Sequence, residues 1–453
     1  MSRRSRSVVV LSAGAAAGGF LFGFDTAVIN GAVPALRSHF DASALGIGLA
    51  VSLALIGSAV GALMTGSLAD RYGRVPCMRI AAALFFLSAL GSGFPFGLGD
   101  FVGWRVLGGV GVGMASVLAP TYIAEIAPAE FRGRLATLQQ LAIVIGIFVS
   151  ALSNYGLGLV SGGASAELAG FATWRWMFWV EAVPAAVYGA FSFRLPESPR
   201  FLVAQGRADE AADVLEGTGQ SRALVAAIHE ATARVRPPSP RDLLGGPFGL
   251  LPIVWTGVML AVFQQFVGIN VIFYYSNTLW QSVGFDESRA LAISLISNTI
   301  NVLTTFIAIG TIDRIGRRPL LLLGSLGMTV SLGTVAFALG GGGEPSPAMG
   351  VLALIAANAF VCAFGFSWGP VMWVLLGEMF NNRIRAAALA LGAAVNWIAN
   401  FLISTTFPVL VEGLGPAGAY VLYAVAAALS FVFVKVAVPE TKGRALEEMG
   451  RIE

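Results

Sequence analysis

Three ionisable side chains lie within otherwise apolar stretches of the chain: Asp25, Arg105 and Glu181. Charged groups are costly inside a hydrocarbon layer and are usually functional there. An arginine favours the charged form of a carboxylate, whereas removal from water favours the neutral form, so movement relative to Arg105 would change the proton affinity of Asp25. This is the requirement for proton coupling. The alternatives are a static Asp25–Arg105 salt bridge and a Glu181 that only faces a helix interface.

A second set of polar side chains, amides with neighbouring indoles, also falls within apolar stretches. A sugar presents hydroxyl groups around its ring and an apolar C–H face, so a site for it needs amides beside aromatic surfaces. Buried amides can instead join helices, at on the order of 1 kcal/mol or less each. The candidates are Gln140, Gln264, Gln265, Asn270, Asn301, Asn396 and Asn400, with the aromatic residues Trp373 and Trp397.

The stretch that carries three of these amides does not suit one unbroken helix. Gln264, Gln265 and Asn270 cannot share a single helix face at their spacing. Gly268 lies between them, and transporter helices often break at a binding site. We therefore expect a break at Gly268, with residues 274–275, two tyrosines, following as a lid.

The elements that position these side chains are membrane helices. The chain is 56% hydrophobic and only 12% charged, with a mean hydropathy of +0.78, so it has too little polar surface for a soluble particle. A helix needs about 20 mostly apolar residues to cross a bilayer, and the apolar runs are too long and too continuous for barrel strands. Twelve spans are predicted, at 8–33, 44–68, 76–96, 100–127, 135–158, 174–194, 249–276, 289–310, 318–340, 348–377, 384–410 and 415–436.

The two halves of the sequence repeat each other. The segment DRYGR at 70–74 recurs as DRIGR at 313–317, and PESPR at 196–200 recurs as PETKG at 439–443, both about 243 residues further on. Duplicated helical halves in a membrane are typical of transporters, whose substrate site lies between the halves near the bilayer midplane. The sequence therefore predicts two pseudo-symmetric six-helix bundles.

Charged residues around these motifs occur in matching order in the two halves. Charges that only set the orientation in the membrane would have no reason to repeat in this way. Each motif needs its glycine for a tight turn, and its arginines can reach carboxylates and helix-end carbonyls. Such a network can hold helix ends in one state and release them in another; for any single arginine, an ordinary positive-inside charge is the alternative. The predicted network comprises Arg71, Arg74, Glu125, Arg134 and Glu197 in the first half, and Arg317, Arg318, Glu378, Arg385 and Glu440 in the second.

The distribution of basic residues predicts the orientation. Only Arg37, Arg175 and Arg289 fall on one side of the predicted spans, against more than twenty of the 28 Lys and Arg residues on the other, so both termini are expected in the cytoplasm. The net charge of +3 follows from this bias and does not indicate nucleic acid. Two cysteines and two histidines predict neither a structural disulfide nor a metal site, and the absence of a phosphate loop or nucleophile–base pair argues against an enzyme.

Domain boundaries follow from the polar stretch in the middle of the chain. We expect an N-terminal six-helix bundle at 1–195, a cytoplasmic helical linker at 196–246, a C-terminal six-helix bundle at 247–437 and a cytoplasmic tail at 438–453. The linker has Ala, Glu and Arg at helical spacing and ends in a proline-rich run, which is typical of a short helical segment followed by a stiff connection.

Across nearly its whole length the chain resembles the sugar porter family of the major facilitator superfamily. The motifs that carry the resemblance are GFLFGFDTAVING at 19–31, PESPR at 196–200, QQFVGIN at 264–270, GPVMW at 369–373 and PETKG at 439–443. One departure is Val75 in the first charged motif, where many members of the family carry a second arginine. We expect a weaker network in the first half for this reason.

The resemblance implies roles for individual residues. Proton-coupled members carry Asp at the position of Asp25, where facilitative members commonly have Asn. Ile147 and Asn396 resemble the residues of glucose carriers, whereas a pentose-selective relative has Gln at both positions. The residues that fall where the family holds its sugar are Gln140, Gln264, Gln265, Asn270, Asn301, Trp373 and Asn396, with Trp397 beside them.

The predicted function is therefore a proton-coupled hexose symporter, with D-glucose as the substrate, that works by alternating access in the cell (inner) membrane. Its partners are the sugar, protons and the lipid bilayer, with no cofactor, and a monomer suffices because one chain contains both halves. The alternatives are a facilitative sugar uniporter, a pentose or polyol:proton symporter of the same fold, and a sugar sensor, which would be expected to carry a long signalling tail.

Overall fold

The first half of the chain is built from long apolar helices in the computed structural model, which describes residues 3–128, 132–234, 240–246, 249–341, 346–380 and 384–442. A two-stranded antiparallel hairpin precedes the last two helices of this half. The elements are α1 (Arg3–His39), α2 (Ala44–Tyr72), α3 (Arg74–Gly93), α4 (Leu98–Ile126), α5 (Arg132–Ser161), β1 (Glu167–Leu168), β2 (Phe171–Ala172), α6 (Thr173–Trp179) and α7 (Ala182–Ser192).

A polar segment of short helices follows, as the composition of the linker predicts. It contains α8 (Pro199–Ala204), α9 (Ala208–Gly217), α10 (Leu224–Arg234) and a 3₁₀ turn at Pro240–Leu243. Ser198 caps α8 by accepting a hydrogen bond from the backbone N–H of Phe201. Pro199 occupies the first helical position, where the fixed φ of proline suits a helix. The three helices share a small apolar core around Leu202 and Ala211.

The second half repeats the helical pattern with more interruptions. Gly316, which has a φ of 104°, separates two of its helices. Gly73 does so in the first half with a φ of 101°, a backbone angle that favours glycine. The helices are α11 (Pro252–Phe266), α12 (Ile269–Ser282), α13 (Glu287–Ile315), α14 (Arg317–Leu339), α15 (Pro347–Gly365), α16 (Trp368–Met379) and α17 (Arg385–Ala437).

Ten helices in the described ranges are long and apolar enough to cross a membrane, and the predicted all-helical membrane class is confirmed. The sixth predicted span corresponds to the short helices α6 and α7, neither of which is long enough alone. The last two predicted spans are joined in the 53-residue α17, in which Gly415 has non-helical backbone angles (φ 71°, ψ 167°). The count of twelve therefore stays a prediction.

Glycines bring the backbone of α4 into direct contact with α2. A Cβ atom added at Gly109 would lie 1.9 Å from the carbonyl oxygen of Ala54, and one at Gly113 would lie 2.0 Å from that of Ser58. Only glycine permits this approach, which small residues commonly provide in membrane helices. Arg105 lies one turn before Gly109, so the same contact sets the position of its side chain along α4.

The contacts between Cα atoms divide the chain into two compact units. The first contains Met1–Ala32 and Leu53–Arg236, and the second contains Val33–Ser52 and Pro237–Glu453. The short helices of the polar segment thus belong to the first unit, where the Gln220 side chain donates a hydrogen bond to the carbonyl of Ile126 at the end of α4. The boundaries predicted from the sequence at 195, 246 and 437 stay predictions.

Candidate functional site

Asp25 and Arg105 form a buried ion pair in the first unit. Asp25 lies on α1 and Arg105 on α4, and each side chain is only 2% exposed. Arg105 Nη1 donates a hydrogen bond to Asp25 Oδ1 at 2.6 Å, and Nη2 donates to the backbone carbonyl of Asp25 at 2.9 Å. The guanidinium carbon also lies 5.7 Å from the ring centroid of Phe178 on α6. The structure thus contains the pair considered from the sequence, and its role in proton coupling stays a prediction.

Glu181 supplies a second carboxylate beside this pair. It lies at the junction of α6 and α7 and is fully buried, within electrostatic reach of both Asp25 and Arg105. Neither of its carboxyl oxygens has a hydrogen-bond partner of ordinary geometry among the described residues, and the same is true of Arg105 Nε. The cluster therefore holds two carboxyl groups around one guanidinium.

Four of the predicted amides form one hydrogen-bonded cluster in the second unit. Asn396 Nδ2 donates to Gln264 Oε1 at 2.7 Å, and Gln265 Nε2 donates to Asn396 Oδ1 at 3.0 Å. Asn270 Nδ2 donates to Gln265 Oε1 at 2.5 Å. Gln264 Nε2 donates to the backbone carbonyl of Trp368 at 3.1 Å. The cluster joins α11, α12, α16 and α17.

The break expected at Gly268 is present and explains how the cluster forms. Gly268 separates α11 from α12 with a φ of 85° and a ψ of 20°, a left-handed conformation that glycine adopts without strain. The helical conformation is interrupted at Gly268, so Asn270 at the start of α12 reaches Gln265 near the end of α11. An unbroken helix would not place these two side chains together.

Five other predicted residues lie outside the hydrogen-bonded cluster, on α5, α13, α16 and α17. Asn301 is buried on α13, Trp373 on α16 is 39% exposed, and Trp397 on α17 is half-buried next to the amide cluster. Gln140, which is half-buried, and Ile147, which is buried, lie on α5 in the first unit. Their contribution to sugar binding stays a prediction.

The sequence reasoning missed the polar stripe that continues along α17. Asn396, Asn400 and Ser404 are spaced four residues apart and so lie on one helix face. Asn400 Nδ2 donates to the hydroxyl of Tyr274 at 3.3 Å, and the hydroxyl of Tyr275 donates to the carbonyl of Ser404 at 2.8 Å. The two tyrosines expected as a lid are thus buried against α17. The four-residue spacing was the signal that could have identified Ser404.

The charged motif of the first half forms hydrogen bonds and ion pairs between the start of α3 and the end of α4. Arg74 Nε and Nη2 donate to the two carboxylate oxygens of Glu125 at 2.9 and 3.0 Å, a bidentate pair. Arg74 also lies 3.2 Å from Asp70. Glu197 accepts the backbone N–H groups of Arg74 and Val75, at 2.9 and 3.1 Å. The carboxylate thereby caps the N-terminus of α3, where a negative charge is favoured.

The second half repeats this geometry. Arg317 donates to both oxygens of Glu378 at 3.0 and 2.8 Å, and it lies 2.9 Å from Asp313. Glu440 accepts the backbone N–H groups of Arg317 and Arg318 at 3.1 and 3.0 Å. Burial raises the pKa of Glu440, but hydrogen bonds from four backbone N–H groups lower it by more, so the pKa lies below its ordinary value.

The remaining predicted members of the network behave differently. Arg318 donates to the carbonyls of Val434 and Lys435 at the end of α17, a set of bonds that Val75 cannot make in the first half. Arg71 places its guanidinium over the ring of Tyr72 instead of on a carboxylate. Arg385 donates to the carbonyl of Phe380 at a helix end, and no acidic side chain in the described ranges pairs with it. The side chain of Arg134 lies outside the described part of the chain.

The chain belongs to the sugar transporter family: the family model described as sugar (and other) transporter matches residues 11–452. It is 56% identical to the glucose transport protein of Synechocystis over 98% of this chain and 97% of the relative. It is 38% identical to the D-xylose-proton symporter of Escherichia coli K12 over 95% of this chain and 93% of the relative.

A solved structure agrees with this assignment. The inward-open structure of the xylose transporter XylE from E. coli has a TM-score of 0.84 to this chain at 35% identity, covering 98% of this chain and 99% of the other. Family, fold and the ten long apolar helices together define a multi-pass membrane transporter of the major facilitator fold.

Proposed function

We propose that this chain is a proton-coupled symporter for a hexose, D-glucose, that works by alternating access. The observation that carries the proposal is the buried Asp25–Arg105 ion pair with Glu181 beside it. A transporter needs a group that couples sugar to protons only when a proton gradient drives the uptake. A buried carboxyl group whose charge depends on a neighbouring arginine is such a group.

The proton acts on the ion pair. When Asp25 is protonated, it loses its negative charge and its attraction to Arg105 weakens, while the guanidinium keeps its hydrogen bond to the backbone carbonyl of Asp25. Glu181 lies within electrostatic reach of Arg105, so its carboxyl group can then interact with the guanidinium in place of Asp25. One elementary charge that moves through a membrane potential of 100 mV contributes about 2.3 kcal/mol, which corresponds to about fifty-fold accumulation of the sugar.

The sugar acts on the amide cluster. Gln264, Gln265, Asn270 and Asn396 bond mainly to each other, and the hydroxyl groups of a sugar can replace these bonds with bonds of the same kind. Because amides both donate and accept, the exchange leaves no buried group unpaired. Asn301, Trp373, Trp397, Gln140 and Ile147 are proposed as further contacts with the sugar.

The choice of glucose rests on two positions and one relative. Ile147 is apolar and Asn396 has a shorter side chain than Gln, which leaves room for the larger hexose. The relative that is 56% identical is named as a glucose transport protein, whereas the relatives named as D-xylose symporters and transporters are 35–38% identical. Xylose or a polyol is the second candidate.

We further propose that the protein acts as a monomer in the inner membrane with both termini in the cytoplasm and is a carrier without enzymatic activity. The basic residues on the side of the two charged motifs support this orientation. The orientation places the polar segment of α8, α9 and α10 in the cytoplasm as well.

The test is uptake of radiolabelled glucose by proteoliposomes that contain the purified protein, with and without an inward proton gradient. We expect accumulation above equilibrium only with the gradient. In the Asp25→Asn variant, accumulation should fall to equilibration while glucose counterflow continues, because the amide keeps the shape but not the titratable charge.

Each other outcome changes the assignment. Equilibration of glucose that ignores the gradient in the wild type identifies a uniporter. Equal loss of accumulation and counterflow in Asp25→Asn makes the ion pair structural. Uptake of xylose in place of glucose assigns the pentose substrate.

A further inference from the structure

A cavity of about 250 Å³ opens on the first unit beside the first charged motif. Its lining includes Arg79 from α3, Arg207 from the polar segment, Tyr72 at the end of α2, and Glu197 and Phe201 around the start of α8. Neither the proton cluster nor the amide cluster uses this cavity. It combines two guanidinium groups with aromatic surface.

Arg79 is the unsatisfied group of this cavity. Its guanidinium carbon lies 4.3 Å from the ring centroid of Phe193, which is a cation–π contact. Its Nε atom is buried without a hydrogen-bond acceptor, and no carboxylate in the described ranges lies within ion-pair distance of it. Arg74, one turn earlier on α3, has both a bidentate carboxylate and a backbone acceptor. A half-buried guanidinium without an anion has five donors directed at few acceptors.

The other charges of the cavity do not neutralise Arg79. Both oxygens of Glu197 accept hydrogen bonds from the backbone N–H groups of residues 74, 75 and 198. Arg207 donates through Nε and Nη2 to Glu210. Arg79 is therefore the guanidinium of this lining that has no carboxylate within ion-pair distance in the described ranges, and its donors suit an anion.

The repeat shows that the fold does not require this arginine. The position 243 residues after Arg79 is Leu322 on α14. In that half, Arg318 donates to the carbonyls of residues 434 and 435 at the end of α17. In the first half, Val75 has no side-chain donor for the corresponding hydrogen bonds. Among the described residues, Arg79 does not make these bonds either. Arg79 is thus a feature of the first half alone.

The surface beside the cavity is suited to acyl chains. Phe193 is 70% exposed, Val187 on α7 is 62% exposed and Ile80 on α3 is 43% exposed, and these apolar groups lie on elements that face lipid when the helices span a bilayer. Arg79 is five residues from the first residue of α3, about 7.5 Å along the axis. Arg79 therefore lies near one end of α3, where a membrane-spanning helix meets the headgroup region.

We propose that Arg79 and the adjoining cavity bind the phosphate of an anionic glycerophospholipid, with its acyl chains along the exposed surface of α3 and α7. Arginine pairs with phosphate through two parallel hydrogen bonds, and basic pockets at the ends of membrane helices recognise anionic headgroups. The apolar surface next to the cavity favours a lipid over a soluble phosphate. The proposal depends on the membrane placement of α3 and not on sugar transport.

The test is native mass spectrometry of the purified protein in detergent, titrated with phosphatidylglycerol or with phosphatidylcholine. We expect the wild type to bind phosphatidylglycerol more tightly. The Arg79→Gln variant should lose roughly tenfold in affinity for the first phosphatidylglycerol, as expected for the loss of a bidentate charged hydrogen bond. The Arg222→Gln control removes one charge from an exposed arginine that pairs with Asp213 and Glu216, and it should leave the affinity unchanged.

Two further arms keep the result decisive. The Arg79→Lys variant keeps the charge without the fork, so it should bind phosphatidylglycerol with an affinity between those of the wild type and Arg79→Gln; it also replaces Arg79→Gln if that variant fails to fold. Soluble glycerol phosphate should not displace the bound lipid. Unchanged lipid affinity in Arg79→Gln, equal loss in Arg222→Gln, equal binding of phosphatidylcholine, or displacement by glycerol phosphate would each overturn the proposal.

Discussion

Single side chains at the amide cluster have partners on several helices, so their removal has a definite cost. Gln265 is 6% exposed and bonds to Asn270 through Oε1 and to Asn396 through Nε2. Its loss would remove the partners of Asn396 Oδ1, which is buried, and of Asn270 Nδ2, which is half-buried, at a cost of about 1–3 kcal/mol for each group that stays unsatisfied. The same geometry makes Gln265 the central amide of the proposed sugar site.

The first prediction concerns Gln265. We expect Gln265→Ala to weaken glucose binding by about tenfold, because one bidentate partner of the sugar is lost, and to lower the amount of folded protein by less than that. Equilibrium binding of glucose to the purified variant measures this. The matched control is Gln281→Ala on α12, which removes a glutamine that bonds only to Asn277 in the described structure. Unchanged affinity in Gln265→Ala would remove this residue from the sugar site.

The second prediction concerns the pH dependence of stability and rests on Glu440. Because hydrogen bonds outweigh burial and lower its pKa in the folded protein, its contribution to stability is complete above the pKa of the unfolded chain. That contribution is lost as the pH falls through the folded pKa. We expect Glu440→Gln to lower the melting temperature near pH ~7 and to reduce the further loss of stability towards pH ~3.5.

Thermal unfolding in detergent across this pH range measures the effect of Glu440→Gln. The control is Glu167→Gln, in which an exposed carboxylate of β1 is replaced. An acid sensitivity that is the same in Glu440→Gln and in the wild type would show that Glu440 does not contribute through its charge.

At the level of elements, the helix breaks decide which polar groups meet. The predicted seventh span is two helices separated at Gly268, and the predicted tenth span is two helices, α15 and α16, separated before Trp368. The second break brings the backbone carbonyl of Trp368 to Gln264. The break thus places the first turn of α16 within reach of the amide cluster.

The third prediction concerns the break between α11 and α12. A Cβ atom added at Gly268 would lie 2.9 Å from the ring of Tyr423, and a φ of 85° is unfavourable for alanine. We expect Gly268→Ala to lower stability by about 1–2 kcal/mol and to weaken glucose binding as well, because Asn270 would shift away from Gln265.

The control for Gly268→Ala is Gly284→Ala at the end of α12. Its φ is 93°, but an added Cβ would meet no atom within 4 Å, and it lies outside the amide cluster. It should lose similar stability and keep normal glucose binding. Equal weakening of glucose binding in both variants would show that backbone strain alone is responsible.

At the level of the whole molecule, the two halves of the duplicated sequence form the same contacts at their charged motifs. Gly73 and Gly316, Arg74 and Arg317, and Glu197 and Glu440 have corresponding contacts in the two halves. Within each unit the network ties helices of that unit together. The arginines of these motifs also account for much of the charge bias that predicts the orientation.

The fourth prediction tests that orientation with single cysteines in a background in which Cys77 and Cys362 are replaced by serine. Ser165, before β1, and Ser221, before α10, are both exposed. In intact cells, an impermeant maleimide should label the Ser165→Cys variant and not the Ser221→Cys variant. Labelling of Ser221→Cys should appear only after the membrane is opened. The reverse pattern would place the charged motifs outside.

Much of the fold was predictable because membrane helices are specified by local composition. The ten long helices, the helical linker and the break at Gly268 follow from apolar length and from a glycine between polar groups. The predicted sixth span is divided between α6 and α7 at residues 180–181. The local signal for this interruption is Pro184, which has no N–H to donate to the carbonyl of Val180.

The partners of individual side chains were harder to predict. Arg71 and Arg385 have the residue type and the repeat that favoured a place in the charge network, yet they contact a tyrosine ring and a helix-end carbonyl. The pairing of an arginine depends on which acceptor lies within reach after the helices pack. Sequence spacing does not contain that distance.

The sequence by itself therefore determined the class of protein, its duplication and the identity of the polar residues within apolar helices, because the absence of water in a bilayer makes length and polarity sufficient signals. Tertiary structure alone decided that Asn396 meets Gln264 and Gln265 across more than 130 residues of sequence and that Asn270 meets Gln265 across the break at Gly268. The contacts of Asn396 arise from the packing of helices distant in sequence, and their energies depend on separations of a few tenths of an ångström that no local pattern specifies.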